Sequence, residues 1–139
     1  MTSPAPRPAT VPRLNGVRVL IAEDEPDVRK MVAATLEGAG AAVIAVSSAE
    51  AALQVLQVER PDVIVSDLAM PDKGGYWLIG RIRALPPERG GAIPAAALTG
   101  LCGAEHRASI LRAGFLYHVA KPIDMQQLIG VVSILALKE

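Results

Sequence analysis

Aromatic side chains are nearly missing from this chain of 139 residues: Phe, Trp and Tyr together make up 3% of it. Hydrophobic residues still account for 51%, so any core must be aliphatic, built from Ala, Val, Leu and Ile. That favours layered packing of helices on a sheet over an aromatic-rich sandwich. Cysteine is represented once, by Cys102, which cannot form an internal disulfide, and a reducing compartment is the simplest expectation. Net charge is absent too, with 14 Lys and Arg against 14 Asp and Glu. No basic stripe argues for nucleic acid, and no Lys/Arg cluster argues for an anionic membrane. No apolar stretch approaches the about 18 residues of a membrane span, and no signal-peptide apolar segment stands at the amino end. The expectation is a soluble, cytoplasmic protein of one ordinary domain, large enough to bury a core without metal or disulfide staples.

What is present is orderly. Residues 1–14 carry Pro4, Pro6, Pro8 and Pro12. Proline lacks an amide donor and fixes φ, so this segment reads as an extended tail or linker before a domain at 15–139. Beyond it, short apolar runs alternate with helical spacing. Strands are expected at 17–22, 42–46, 63–66, 93–98 and 116–120. Pro26 suits a first helical turn, and Val28, Met31, Val32, Leu36 and Ala39 recur at helical spacing behind it. Ser47 and Glu50 form a capping box before a helix at 48–59. Further helices fall at 76–85, closed by Pro86 and Pro87, at 104–113, closed by Gly114, and from the Asp124 cap to about Lys138. Strict alternation of five strands and five helices predicts an α/β fold: a doubly wound parallel sheet with helices on both faces.

In such folds the working site lies beyond the carboxyl ends of the strands. The expected strand ends carry Glu23-Asp24-Glu25, Asp67, Thr99-Gly100 and Lys121-Pro122. Clustered carboxylates repel one another unless a positive group sits among them. Hard oxygen donors with open positions suit Mg2+, which keeps waters and accepts phosphate oxygens. A divalent ion, the Lys121 ammonium and the Thr99 hydroxyl would together neutralise a phosphoryl group carried by Asp67.

The segments VRVLIAEDEPDVR, DVIVSDLAMP, AAALTG and VAKPID, in this order over residues 16 to 138, resemble the receiver domain of two-component response regulators. In detail LNGVRVLIAEDEPD, AAALTG and HVAKPID are most similar to receivers of hybrid sensor histidine kinases. The resemblance implies a flavodoxin-like (βα)5 three-layer sandwich with parallel strand order 2-1-3-4-5. It implies Asp67 as phosphoacceptor in a two-component phosphorelay. Asp24 then becomes the direct metal-binding acid, Glu23 its partner through water, and Ala69 the donor of a backbone carbonyl to Mg2+, with Mn2+ as the alternative ion. Thr99 is implied as the switch hydroxyl beside Gly100, Lys121 as the phosphate-pairing lysine, and Pro122 as the residue following it in a cis peptide. The implied partner is a sensor histidine kinase or a histidine phosphotransfer protein, and the signalling face is formed by the fourth helix, fifth strand and fifth helix. Such a receiver is a signalling module, not an enzyme, and either stands alone or has been excised from a larger protein.

Several positions depart from the family pattern. Gly74 replaces a common acid. His118 stands where a Tyr or Phe rotamer switch is common. Ala69 and Leu101 are apolar at the two positions that help set the phosphate lifetime, which predicts slow self-hydrolysis. His106 reads as solvated helix surface, and Cys102 as a bystander. The last helix is apolar nearly all round, which suggests a partner or homodimer contact. Two rivals stand beside the phosphoacceptor. One is a phosphorylation-independent pseudo-receiver used for docking or dimerisation. The other is an aspartyl-phosphate phosphatase, which needs a second acid at the position of Ala69.

Overall fold

A computed structural model describes residues 13–100 and 103–137 of the chain. The expectations placed on the proline-rich residues 1–12, on Leu101 and Cys102, and on Lys138 lie outside the described residues. Eleven elements follow in order: β1 (Arg18–Ala22), α1 (Pro26–Gly38), β2 (Ala42–Val46), α2 (Ala49–Glu59), β3 (Val63–Asp67), α3 (Gly75–Arg83), a 3-10 turn (Pro87–Arg89), β4 (Ala95–Thr99), α4 (Ala104–Ala113), β5 (Tyr117–Ala120) and α5 (Met125–Ala136). The five strands form one parallel sheet in the order β2-β1-β3-β4-β5, the flavodoxin-like order.

Period-two alternation in the strands sorts side chains into two cores. Val19, Ile21, Val63, Val65, Ala96 and Leu98 face one layer, where they meet Val32 and Leu36 of α1 and Leu128, Val132 and Leu135 of α5. Leu20, Ala22, Ile64, Ala95 and Ala97 face the other, against Leu56 of α2, Leu78 and Ile82 of α3, and Ile110 of α4. The central strands β3 and β4 are buried at every position, as a sheet covered on both faces requires. The only Phe, Phe115, is buried in the second core, and aliphatic side chains fill the rest.

Four details differ from the sequence reading. The cap of α2 is Ser48, whose side chain accepts from the Ala51 amide at 3.1 Å; Ser47 lies one residue too early. The helix at 76–85 runs instead from Gly75 to Arg83, and a 3-10 turn follows Pro86. Leu14, assigned to the tail, is buried in the first core, and its amide donates to the Ala39 carbonyl at 2.8 Å. An isolated apolar residue after a proline run has no periodic neighbours to announce its burial. The fifth helix is less open than its composition suggests: Leu128, Ile129, Val131, Val132 and Leu135 are buried, and Met125 and Ile134 are exposed.

Candidate phosphoryl and metal site at the carboxyl edge of the sheet

Parallel strands bring their carboxyl ends to one edge, and Glu23, Asp24, Asp67, Thr99 and Lys121 meet there although up to 98 residues separate them. Glu23 follows β1 directly and is fully buried. Its amide donates to the Val46 carbonyl at 3.1 Å, and its carboxylate accepts from the Glu25 amide at 3.1 Å. From α1, Arg29 donates to the backbone carbonyls of Glu23 and Asp24 at 3.0 and 3.3 Å, which pins the acidic turn to the helix behind it. Asp24 is half-buried.

Asp67 ends β3 and is 4% exposed. Its Oδ1 accepts from the Ala69 amide at 3.3 Å. The loop behind it folds back tightly: the Gly75 amide donates to Leu68 at 3.0 Å, and a Cβ on Gly75 would stand 2.5 Å from the Asp67 carbonyl oxygen. A Cβ on Gly74 would stand 2.4 Å from the Leu68 oxygen, so the residue that replaces a common family acid is also the one this loop path accommodates.

Lys121, after β5, reaches two acids at once. Its Nζ is 3.2 Å from Asp67 Oδ2 and 3.3 Å from Glu23 Oε1. Burial pulls the Lys121 pKa down, but the hydrogen bond and charge of Asp67, followed by those of Glu23, outweigh it and leave the ammonium above its ordinary value. For Glu23, burial is the largest influence and raises the pKa. The charge of Asp67 raises it further, against the Glu25 amide and Lys121. The Lys121 amide also donates to the Thr99 carbonyl at 2.9 Å, and the Lys121–Pro122 peptide is cis.

Glu23, Asp24 and Asp67 each present a carboxylate oxygen, all within 4.8 Å of one another. Three carboxylates against one ammonium leave negative charge at the pocket. The donor set is all hard oxygen and fits Mg2+ or Mn2+.

Thr99 ends β4 and is 3% exposed. Its hydroxyl lies 3.2 Å from His106 Nε2. Asp67, Leu68, Ala69, Tyr76, Thr99, Gly100 and His106 line one cavity of about 200 Å³. His118 does not line it. It is half-buried on β5, opposite Ala97 in the sheet register. His106, expected on solvated surface, thus belongs to the pocket, and Tyr76 joins it. The missed signal is positional: the first turn of a helix that follows a strand lies beside that strand's carboxyl end.

Fold and site together define a class, a flavodoxin-like α/β domain with an acidic pocket at its carboxyl edge, of the kind that receives signals. The chain belongs to the response regulator receiver domain family, which residues 19–133 match. It is 42% identical over 114 residues to an uncharacterized 14.6 kDa protein of the sodA1 3′ region in Leptolyngbya boryana, covering 82% of this chain and 86% of that one. It is 36% identical over 116 residues to the sensor protein GacS of Pseudomonas syringae pv. syringae, covering 83% of this chain but 13% of that one. Among solved structures it resembles the receiver domain of sensor histidine kinase PA1611 from Pseudomonas aeruginosa PAO1, crystallised with a magnesium ion in its active-site cleft. That likeness has a TM-score of 0.79 at 28% identity and covers 88% of this chain and 99% of that one.

Proposed function

We propose that the chain accepts a phosphoryl group on Asp67 from a phosphohistidine of a sensor histidine kinase or histidine phosphotransfer protein. The observation that carries this reading is the buried Asp67 carboxylate held 3.2 Å from the Lys121 ammonium, with Glu23 and Asp24 within metal-sharing distance. An Asp67 oxygen attacks the phosphorus, the P–N bond breaks, and the imidazole of the donor keeps the electron pair. A divalent cation, when bound by Asp24, Glu23, Asp67 and the Ala69 carbonyl, supplies neutralising charge for the phosphoryl oxygens. Lys121 pairs with the new phosphate. Thr99 turns toward it beside Gly100, and His118 follows on β5. Ala69 places no acid or hydroxyl on the cavity to orient an attacking water, so the phosphate persists.

The module is a relay component without turnover of its own, and the proposal carries a cytoplasmic location with it. The surface that changes is formed by α4, β5 and α5, where Leu111, Tyr117, Met125 and Ile134 are exposed. It serves a partner or a second copy of the chain.

The test is titration with Mg2+ and beryllofluoride followed by NMR and by Trp77 fluorescence. Trp77 has Lys73 Nζ and the Arg81 guanidinium over its ring, 5.5 and 5.3 Å from the centroid, and reports on α3 next to the pocket. Saturable binding that Asp67→Asn abolishes supports the reading. Docking to a kinase with no response to beryllofluoride would establish a pseudo-receiver instead.

A further inference from the structure

We infer that His106 is a resting-state latch on the switch hydroxyl, a positioning residue that phosphoryl transfer must displace. The inference rests on the phosphoacceptor reading of Asp67 and deepens it.

Thr99 Oγ1 and His106 Nε2 are 3.2 Å apart. The two groups come from different elements: Thr99 closes β4, and His106 sits in the first turn of α4, after the loop that Gly103 ends with φ +119. Both line the cavity that holds Asp67. A threonine hydroxyl carries one proton and two acceptor lone pairs on a single rotor, so it is the rotation of the oxygen about χ1 that breaks its contact with the imidazole. When Thr99 turns to a phosphoryl oxygen on Asp67, its hydroxyl leaves the imidazole, whichever ring tautomer holds it at rest. The bond to His106 therefore exists in one state and not in the other. An interaction present only in the resting state favours that state, by the strength of the bond.

The geometry also gives the latch a mechanical consequence. Thr99 is 3% exposed and fixed in a fully buried strand, whereas α4 has Ile110 as its only buried residue. The helix is the lighter partner. Releasing His106 frees the first turn of α4, which belongs to the face assigned above to signalling. The hydroxyl movement thus reaches α4 through a side chain.

The experiment measures the affinity of the full chain for beryllofluoride with saturating Mg2+. The proteins are the wild type, His106→Ala, His106→Gln, Thr99→Ala, and the double variant Thr99→Ala with His106→Ala. The expected result is about three- to tenfold tighter binding in His106→Ala, the worth of one side-chain hydrogen bond. His106→Gln, which keeps a donor and an acceptor, stays near wild type. In the Thr99→Ala background the His106 substitution changes nothing, because the latch has no second half. Wild-type ring 15N shifts of His106 move on beryllofluoride addition, and in Thr99→Ala they start displaced. Unchanged or weaker binding by His106→Ala overturns the latch, and so does an equal gain in the Thr99→Ala background, which would reflect pocket size. If the wild type binds no beryllofluoride while Thr99→Ala still shifts the His106 ring, the phosphoacceptor reading has failed and the latch falls with it, although the contact is real. Without ligand, His106→Ala should melt somewhat below the wild type, because the resting state alone loses the bond to Thr99, and with saturating Mg2+ and beryllofluoride the two melts should converge.

Discussion

Glu23 shows what one buried carboxylate imposes on the molecule. Its side chain is out of water and shares Lys121 with Asp67. Burial first, and the neighbouring Asp67 charge after it, raise its pKa above the ordinary 4.5. Between that value and the raised one, the folded protein holds more proton than the unfolded chain, so stability falls as pH rises through the window. In metal-free buffer, urea unfolding from pH 4 to 7 should show this decline. Glu23→Gln should flatten it and stabilise the neutral-pH protein by on the order of 1 kcal/mol, because a neutral amide replaces a buried charge. A variant that keeps the wild-type slope would assign the decline to another group. The same residue is expected to help hold the cation, so a stability gain in metal-free buffer comes with weaker Mg2+ binding.

At the scale of elements, α2 offers the cleanest comparison. Ser47 and Ser48 are adjacent and identical in chemistry, and a capping rule cannot choose between them without the helix start. The structure chooses Ser48, in extended conformation with its side chain on the Ala51 amide. Ser48→Ala should cost about 1 kcal/mol by urea denaturation, and Ser47→Ala a few tenths at most; equal losses would refute the assignment. The strands were legible because each of their faces meets a core, so apolar runs and alternation carry the signal. The acids and the lysine were legible because a parallel sheet must gather its strand ends at one edge. His106 was not legible, because its role depends on how α4 leaves Thr99, and helical spacing says nothing of that. Leu14 and the 3-10 turn after Pro86 were missed for a related reason: they answer to tertiary contacts and not to a local period. Arg83 is the strongest case. Its guanidinium donates to the carbonyls of Gly91, Ile93 and Gly114 at 2.8–3.1 Å, tying α3 to the approaches of both β4 and β5, and burial pulls its pKa down. Arg83→Met should strand those carbonyls and cost about 3 kcal/mol, read as a lower urea midpoint with an unchanged slope.

For the whole molecule, a divalent cation held at the acidic pocket would couple to folding. Three carboxylates within 4.8 Å exist as a cluster only when β1 and β3 are paired, so a divalent ion should bind the native state and scarcely the unfolded chain. Stability then rises with free metal, by about 2.7 kcal/mol at a hundred times the dissociation constant. Thermal melts in a Mg2+ series should climb with the logarithm of concentration, and the Asp24→Asn melt should stay nearly flat. Lys121 sets the starting point of that climb, since it is the cation that Asp67 and Glu23 share without metal. Lys121→Met should therefore melt lower than wild type in chelator, because two buried acids lose their partner, and should gain more than wild type from Mg2+, because the entering ion relieves more repulsion. The difference between the two gains isolates the competition of ammonium and metal for Asp67. If Lys121→Met gains less than wild type, the lysine assists the ion instead of standing in for it.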